Sequence, residues 1–569
     1  MGARKEKTVK SSEPPQPPLT ATGDKFEVNE QTIPRKRSFF NATCLILTCC
    51  SGMALNTFTT SSTSIALPDM GRSLNIEEDR LQWAVSAFAL SSGCFLLLCG
   101  RVADIHGRRL AFRLGTAWTA IFALVCGFAK TEIQLFILQG MQGIGSAAVI
   151  PASLGILAHS FPPSRQRSVA FAVFSAGAPF GAGLGFTIGG FVTEFSTVTW
   201  RGIFFLTCGL SALSSIAAFY FIDPDTQSTE IDKRVDWIGA VLVTSGLVLI
   251  TFVLGQGPLA PNGWRTPYII ALLIIGVFLV VCFLFFEHYL ATRSTRQPLM
   301  RLELWTRAQG RFSAMQGVAF LEWCAFDAWI LWTQLYYQAY KNYSPVRAMI
   351  RLLPMTVTGL ILNFIVGSIV GWIDAVWLLV VGTIATGCAC VLFALIDPLA
   401  PYWAFGFPAA ILAVFGADFI FSCGTLFVAR VAHPHEQSVA GGVFQTVTQL
   451  GIAFGVAITT NVHNRVVVEE SARADITLNA HLSNVPPEIM LKGFKAAQWT
   501  GFGFAMGGLL IAVIFLRSVG VVGHGRASAS VRTVENPSSI TTLSGLEPVD
   551  EETEEKSVDP TLVVAQSQA

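Results

Sequence analysis

The sequence predicts an all-α membrane protein of fourteen transmembrane helices, grouped six, two and six. Three observations predict it. First, 52% of the 569 residues are hydrophobic and only 13% are charged, about half the roughly 25% typical of soluble domains. Second, of the 38 Lys and Arg and 37 Asp and Glu, 13 fall in residues 1–38 and 12 in residues 517–569, leaving 50 for the 478 residues between. A middle so poor in charge cannot solvate a globule, which excludes a soluble enzyme, a coiled coil and a nucleic-acid binder. The net charge of +1 steers no polyanion either. Third, apolar runs of bilayer length recur along the chain.

A bilayer core of about 30 Å takes roughly 20 apolar residues per helix. Such runs lie near 41–66, 82–99, 110–129, 133–158, 168–190, 202–222, 237–256, 267–287, 312–337, 347–370, 375–396, 402–429, 439–460 and 498–518. An even count puts both termini on one side. Short-loop Lys and Arg set the orientation: Arg101, Arg108 and Arg109, then Arg165 and Arg167, then Lys233 and Arg234, then Arg293, Arg296, Arg301, Arg307 and Arg311 fall in alternate loops. Those loops and both tails are expected to be cytosolic, with 461–497 the weakest fit because it carries Arg465, Arg473, Lys492 and Lys495. Asn342-Tyr343-Ser344 then faces outside, which makes Asn342 a glycosylation acceptor.

The domain expectation follows from the longer cytosolic stretches. Residues 1–38 form a disordered cytosolic tail, 39–222 a six-helix bundle, 223–308 an inserted helix pair with its linkers, 309–520 a second six-helix bundle, and 521–569 a disordered acidic tail ending in the Glu547, Asp550, Glu551, Glu552, Glu554 and Glu555 cluster. No cleavable signal peptide opens the chain, since 1–38 is polar and basic at both ends. The twelve cysteines all lie in apolar runs and read as small hydrophobic fillers.

The most specific stretch is Gly100-Arg101-Val102-Ala103-Asp104-Ile105-His106-Gly107-Arg108-Arg109, between spans two and three. Two helices reverse there within a few residues, so Gly100 and Gly107 are expected to supply the turn and its positive φ. Asp104 suits a helix N-terminus, and Arg108 and Arg109 hold the loop in the cytosol. In span five, Gly177, Gly181, Gly185 and Gly189 recur every four residues, with Gly183 and Gly190 nearby and Pro179 as a kink. One glycine stripe lets a neighbouring helix approach backbone to backbone.

These motifs carry a resemblance. The loop resembles the G-x-x-x-D-x-x-G-R-[RK] signature of the major facilitator superfamily, at the position between the second and third spans. Gly185-Phe186-Thr187-Ile188-Gly189-Gly190 resembles the antiporter motif G-P-x-x-G-G, with Phe186 in place of its proline. Trp200-Arg201-Gly202-Ile203-Phe204, Asp236-Trp237-Ile238-Gly239 and the glycines from Gly441 to Gly455 around Gln449-Leu450-Gly451 resemble the fourteen-span drug:proton antiporter branch, nearest to fungal exporters of the aminotriazole-resistance type. The resemblance runs from about residue 41 to 520 and implies the major facilitator fold, two six-helix bundles plus two inserted helices. Two departures stand out. Thr59 occupies the position of the first-span acid of D-x-T-x-V-N-x-A-L-P, and Gln139 replaces the arginine of R-x-x-Q-G-x-G in span four.

Proton coupling must therefore sit elsewhere. Asp327 and Glu322 in span nine and Asp418 in span twelve are acids inside apolar runs. An ionisable side chain there costs about 2.5–3.5 kcal/mol on insertion, so it usually faces a cavity and acts. Low-dielectric surroundings disfavour the charged form, which suits a proton carrier. On span nine, Gln316, Phe320, Trp323, Asp327 and Gln334 recur with helical spacing, as do Phe415, Asp418, Ser422 and Thr425 on span twelve. Spans one and four add Asn56, Thr59, Thr63, Gln139, Gln142 and Ser146, and span thirteen adds Gln445. By resemblance, spans one, four, nine and twelve line the central cavity. Asn56, Thr59, Gln139, Gln142, Trp323, Gln334, Ser422 and Gln445 are the cavity candidates, with Trp329 and Trp332 as further aromatic walls.

The function expected is secondary active transport by alternating access: proton-coupled efflux of a drug, toxicant or secondary metabolite. The alternative is an uptake carrier or facilitator of a small polar solute such as ammonium or a boron compound. The partners are a small-molecule substrate, protons and the lipid bilayer, with no cofactor and no metal. A monomer in the plasma membrane is expected, the vacuolar membrane being the alternative. Enzyme and primary-pump readings fail on their motifs: H-E-x-x-H and G-x-x-x-x-G-K-[ST] are both absent.

Overall fold

A computed structural model describes residues 38–76, 83–162, 164–224, 234–257, 260, 263–293, 298–433, 435–476, 485–517 and 519–522. Apart from Ser38, Val521 and Val522, both tails lie outside the described residues, as do Lys233 and Arg296. The first eight long helices are α1 (Phe39–Leu74), α2 (Trp83–Cys94, continued after a 46° bend by Leu96–His106), α3 (Arg108–Cys126), α4 (Glu132–Ser160), α5 (Arg165–Phe195), α6 (Arg201–Phe221), α7 (Trp237–Gln256) and α8 (Pro267–Arg293). Six more follow: α9 (Arg311–Leu335), α10 (Pro345–Ile369), α11 (Ala375–Ala394), α12 (Tyr402–Val431), α13 (Gln437–Arg473) and α14 (Pro487–Phe515).

Among the described residues, twelve of these helices are long and apolar enough to cross a membrane, and the bent α2 makes a thirteenth. The fourteenth by position is α9, where Gln316, Glu322 and Asp327 lower the hydropathy of a 25-residue helix. Its polar groups are the ones proposed above for transport, so the weakest span by composition is the one richest in candidate chemistry.

Side-chain caps start several helices. Thr131, Ser164, Asp236, Ser344 and Asp374 each accept a backbone N–H from the first turn, which satisfies a donor the helix leaves open. Prolines 151, 179, 354 and 408 sit inside α4, α5, α10 and α12, a placement membrane helices tolerate because neighbours re-satisfy the freed carbonyl.

Helices α1 to α6 pack on one another through α1–α5, α1–α6, α2–α4, α3–α4 and α3–α6. Helices α9 to α14 do so through α9–α13, α9–α14, α11–α12, α11–α14, α10–α12 and α13–α14. Contacts between the two groups run along α5–α10, α2–α13, α4–α13 and α5–α12. Helix α7 touches both α2 and α13, and α8 packs against α7. Trp200, fully buried, closes the first group at one end: its indole N–H donates to Ser73 Oγ at 2.8 Å, and Arg201 lies over its ring at 4.3 Å.

Two sequence expectations need correction. The segment 461–497 is mostly helix, because α13 runs on to Arg473 and α14 begins at Pro487. A hydropathy ruler sees only the lipid-spanning part; these extensions are polar and are tied together by the pair of Glu470 on α13 with Lys492 on α14, Glu470 also pairing with Arg473 of its own helix at 2.5 Å. The signature loop is also shorter than expected. Gly100 to His106 is helical, and the reversal is made at Gly107 alone, with φ of 112°.

Candidate functional site

The signature segment makes an inter-bundle latch. Asp104, whose side chain is 1% exposed, accepts hydrogen bonds from Ser438 N (3.3 Å) and Val439 N (2.9 Å), the first turn of α13. Asp104 thus caps a helix of the other bundle rather than its own neighbour α3, and the positive end of α13 favours the carboxylate. Arg108 holds it from behind through Nε at 2.9 Å and Nη2 at 2.8 Å, and donates Nη1 to Gly155 O at 3.1 Å. Gly100 serves this contact and not the turn: a methyl group there would lie 2.8 Å from Ser438 O. Arg109 points elsewhere, donating to Phe219 O on α6 with its guanidinium 5.6 Å from the Phe219 ring.

Two contacts missed by sequence reading reinforce this end. Arg167, at the start of α5 and 9% exposed, donates to Ala429 O at 2.9 Å near the C-terminus of α12. Its isolated position in a basic loop gave no hint of a carbonyl partner 262 residues away. Arg307, in the segment before α9, pairs with Glu436, which also accepts from His433 N at 3.0 Å. Burial lowers the pKa of the Arg307 guanidinium from its ordinary value; Glu303 opposes that shift and Arg301 adds to it.

The glycine stripe of α5 lies along α1. A methyl group would meet Cys50 O at 2.8 Å from Gly177, Phe58 O at 2.7 Å from Gly185 and Ser62 Cα at 2.9 Å from Gly189, while at Gly181 it would run into Ala54 O. Gly190 is different, with its nearest neighbour, Ile65 Cδ1, at an ordinary 3.7 Å.

The polar candidates of the first bundle turn inward, into the bundle itself. Asn56 Nδ2 donates to Ser146 Oγ at 2.6 Å and Ser92 Oγ at 3.1 Å. Thr59 donates to Leu55 O at 2.8 Å, and Gln139 and Gln142 are wholly buried. Asn56, Thr59, Thr116, Thr119, Ser146 and Ser211 line a small, mostly apolar cavity there, together with Leu55, Phe88 and Val149. No Asp, Glu, Lys or Arg lies among them.

The acids all belong to the second bundle, and they differ. Glu322 is completely buried and accepts from Thr386 Oγ1 of α11 at 2.5 Å; Gly416 of α12 packs directly on it. Asp418 is 7% exposed, and its Oδ2 has no hydrogen-bond partner among the described residues. It sits at the seam: a methyl group on Gly359 of α10 would be 2.9 Å from that oxygen and 3.0 Å from Pro179 Cβ of α5. Beside it, Ser422 donates to Asn363 Oδ1 at 3.2 Å, and Asn363 donates to Gly359 O at 2.9 Å. Asp327 is the one acid of the three that is only half-buried, and among the described residues it has no hydrogen-bond or ion-pair partner.

The aromatic candidates separate as well. Trp323 is half-buried, its ring 6.3 Å from Phe421 and 5.6 Å from Phe326. Trp329 is buried against α11, donating to Ala389 O at 3.2 Å, and Trp332 stacks on His463 of α13 at 4.5 Å. The same stack packs the half-buried His463 of α13 against α9. Gln334 is half-buried and Gln445 buried. Asn342 is exposed in a left-handed turn at φ of 51°, and Ser344 of the same triplet caps α10. Among the described residues no His, Cys, Asp and Glu group is placed to hold a metal.

Comparison with known proteins agrees with this architecture. The chain is similar to the efflux pump terJ of Aspergillus terreus (25% identity, 87% of this chain and 91% of the relative). It is similar to the aminotriazole resistance protein of Saccharomyces cerevisiae (25%, 83% of each chain), and to the low affinity ammonium transporter of the same yeast (26%, 80% and 84%). A sequence profile of the Major Facilitator Superfamily matches residues 49–259 and 233–456, and the chain, a multi-pass membrane transporter, belongs to that family.

Proposed function

We propose that the protein exports a small molecule from the cytosol in exchange for protons, by rocking of the bundles 39–222 and 309–520 about a central cavity. The observation that carries this is the asymmetry of charge: Glu322, Asp327 and Asp418 lie on α9 and α12, whereas the first-bundle candidates Asn56, Thr59, Gln139 and Gln142 are uncharged. The signature turn is cytosolic, as are both tails, and the membrane is the plasma membrane. With the latch at Asp104 and Arg167 made, the cytosolic side is shut and the cavity opens outward. Asp327, half-buried and with no partner among the described residues, takes up the proton from outside. Asp418, on the seam with α5 and α10, links proton occupancy to the relative position of the bundles. Glu322 is a structural acid held by Thr386. Substrate and proton drive the cycle only through their different affinities for the two states.

The relatives supply both directions. An efflux pump and a resistance protein favour export; the ammonium transporter favours the second reading, uptake of a small polar solute. Everted vesicles carrying an acid-inside gradient separate them. A panel of lipophilic drugs, organic acids and ammonium is added to wild type, Asp327→Asn and Asp418→Asn. Antiport is supported when a compound dissipates the gradient with wild type and not with at least one variant. Equal proton exchange by all three proteins refutes the coupling assignment, and ammonium movement without any proton movement favours the facilitator.

A further inference from the structure

Helix α7 occupies an unusual place for a helix outside both bundles: it lies against α2 on one side and α13 on the other. These are the two helices joined by the Asp104 latch. The two contacts are chemically unlike. Toward α2 they are directional: Trp83 Nε1 donates to Gln256 Oε1 at 3.0 Å, the Trp83 and Phe252 rings are 5.3 Å apart, and Cys94 Sγ lies 3.4 Å from Thr251 Oγ1. Toward α13 they are apolar: Ile250 and Leu254 rest on Ala453, Phe454 and Ala457. A hydrogen bond and a ring pair fix position. Methyl groups of alanine present a shallow surface with no preferred register, over which a leucine can slide at little cost in buried area.

The other end of the pair is held by its own linker. Glu287 of α8 is completely buried and accepts from Leu299 N (3.2 Å) and Met300 N (3.4 Å), with the Asp236 carboxylate and the buried Arg101 of α2 both near enough to act on its charge. Only beyond that point does the chain cross to the second bundle, through Leu304 and the Arg307–Glu436 pair.

We propose that the inserted pair is a lateral seal carried by the first bundle: α7 stays fixed to α2 through the cycle and slides over the alanine face of α13. The inference rests on the alternating-access reading above. Rocking separates α2 from α13 at one end and then at the other, and each separation exposes the cavity to lipid along that seam unless something covers it. Helix α8, whose outward face (Ile270, Ile274, Phe278, Val281, Phe285) is exposed and apolar, presents a lipid-compatible back to the seal. A membrane-borne substrate then meets the cavity along the α5–α10 seam and not along α2–α13.

Cross-linking of cysteine pairs tests this, with the wild-type chain under the same oxidant as background. The fixed pair is the native Cys94 with Thr251→Cys, which leaves the Trp83–Gln256 bond and the Trp83–Phe252 ring pair in place, and the sliding pair is Leu254→Cys with Ala457→Cys; Ile250→Cys with Ala453→Cys replaces the latter where folding is lost. Leu97→Cys with Gly442→Cys, across α2 and α13 at the latch, reports opening itself. Each pair is oxidised with Asp104 intact and in Asp104→Asn. The expected result is a rate unchanged within about twofold for the fixed pair and a fall of about tenfold or more for the sliding pair, alongside a fall at the latch pair. A fixed-pair rate that falls while the sliding pair holds, or two unchanged rates beside a slowed latch pair, overturns the seal. An unchanged latch pair refutes the latch reading, and with it the seal.

Discussion

Asp104→Asn isolates the charge at the latch. The substitution keeps the shape of the side chain and one acceptor oxygen. On the alternating-access reading proposed above, the bonds to Ser438 N and Val439 N are lost when α2 and α13 part, whereas the pair with Arg108 lies within one bundle and is carried along. To first order the Arg108 contribution therefore cancels. A hydrogen bond to a charged group is worth about 1.5–3 kcal/mol, and a carboxylate at a partly buried helix N-terminus adds about 0.3–2 kcal/mol. Replacing charge by amide forfeits roughly half of that sum, about 2–4 kcal/mol, or about 30-fold to 1,000-fold in the closed-to-open ratio at this end. The distance distribution between spin labels at His106→Cys and His433→Cys, both exposed and on opposite bundles, reads that ratio in native-cysteine-free protein. Asp104→Asn is expected to move most of the population to the longer distance. An unchanged distribution, or a shift toward the shorter distance, refutes the assignment of Asp104 as a closed-state latch.

Two further outcomes follow from packing. Gly185→Leu forces a side chain against Phe58 O and Ser61 Cβ, an overpacking of about 1–3 kcal/mol or more; a lower unfolding temperature in detergent is expected, while Gly190→Ala stays within about 0.5 kcal/mol of wild type. Thr386→Val removes the hydroxyl donor to Glu322 and is expected to cost about 1–3 kcal/mol of stability while leaving gradient dissipation intact in the vesicle assay; loss of proton exchange at undiminished stability would put Glu322 in the proton path instead.

The helices were legible because the bilayer imposes one rule on every span, and a 20-residue apolar run satisfies it by itself. What the rule does not see is anything set by a partner helix. Gly100 shows this well: its sequence neighbours suggest a turn, and its actual constraint is the carbonyl of Ser438, more than 300 residues away. Arg167 and Asn363 were passed over for the same reason, since a buried guanidinium or amide announces nothing until the carbonyl it meets is in place.

Periodicity sorts the residues of α9 by face. The stripe of Gln316, Phe320, Trp323, Asp327 and Gln334 leaves Glu322 and Trp329 on another face; a helix surrounded by α12, α13, α14 and α11 has more than one buried face, and a polar residue can answer to a neighbour as readily as to a cavity. Glu322 answers to Thr386 and Trp329 to Ala389 O. Asp327 has no such answer. A half-buried acid with no hydrogen-bond or ion-pair partner among the described residues, while the first-bundle candidates Asn56, Thr59, Gln139 and Gln142 are all uncharged, is one whose charge a single proton removes with no paired group to offset the change. On the antiport reading proposed above, the uncharged Thr59 and Gln139 therefore mark a relocation of coupling to α9 and α12 and not its loss.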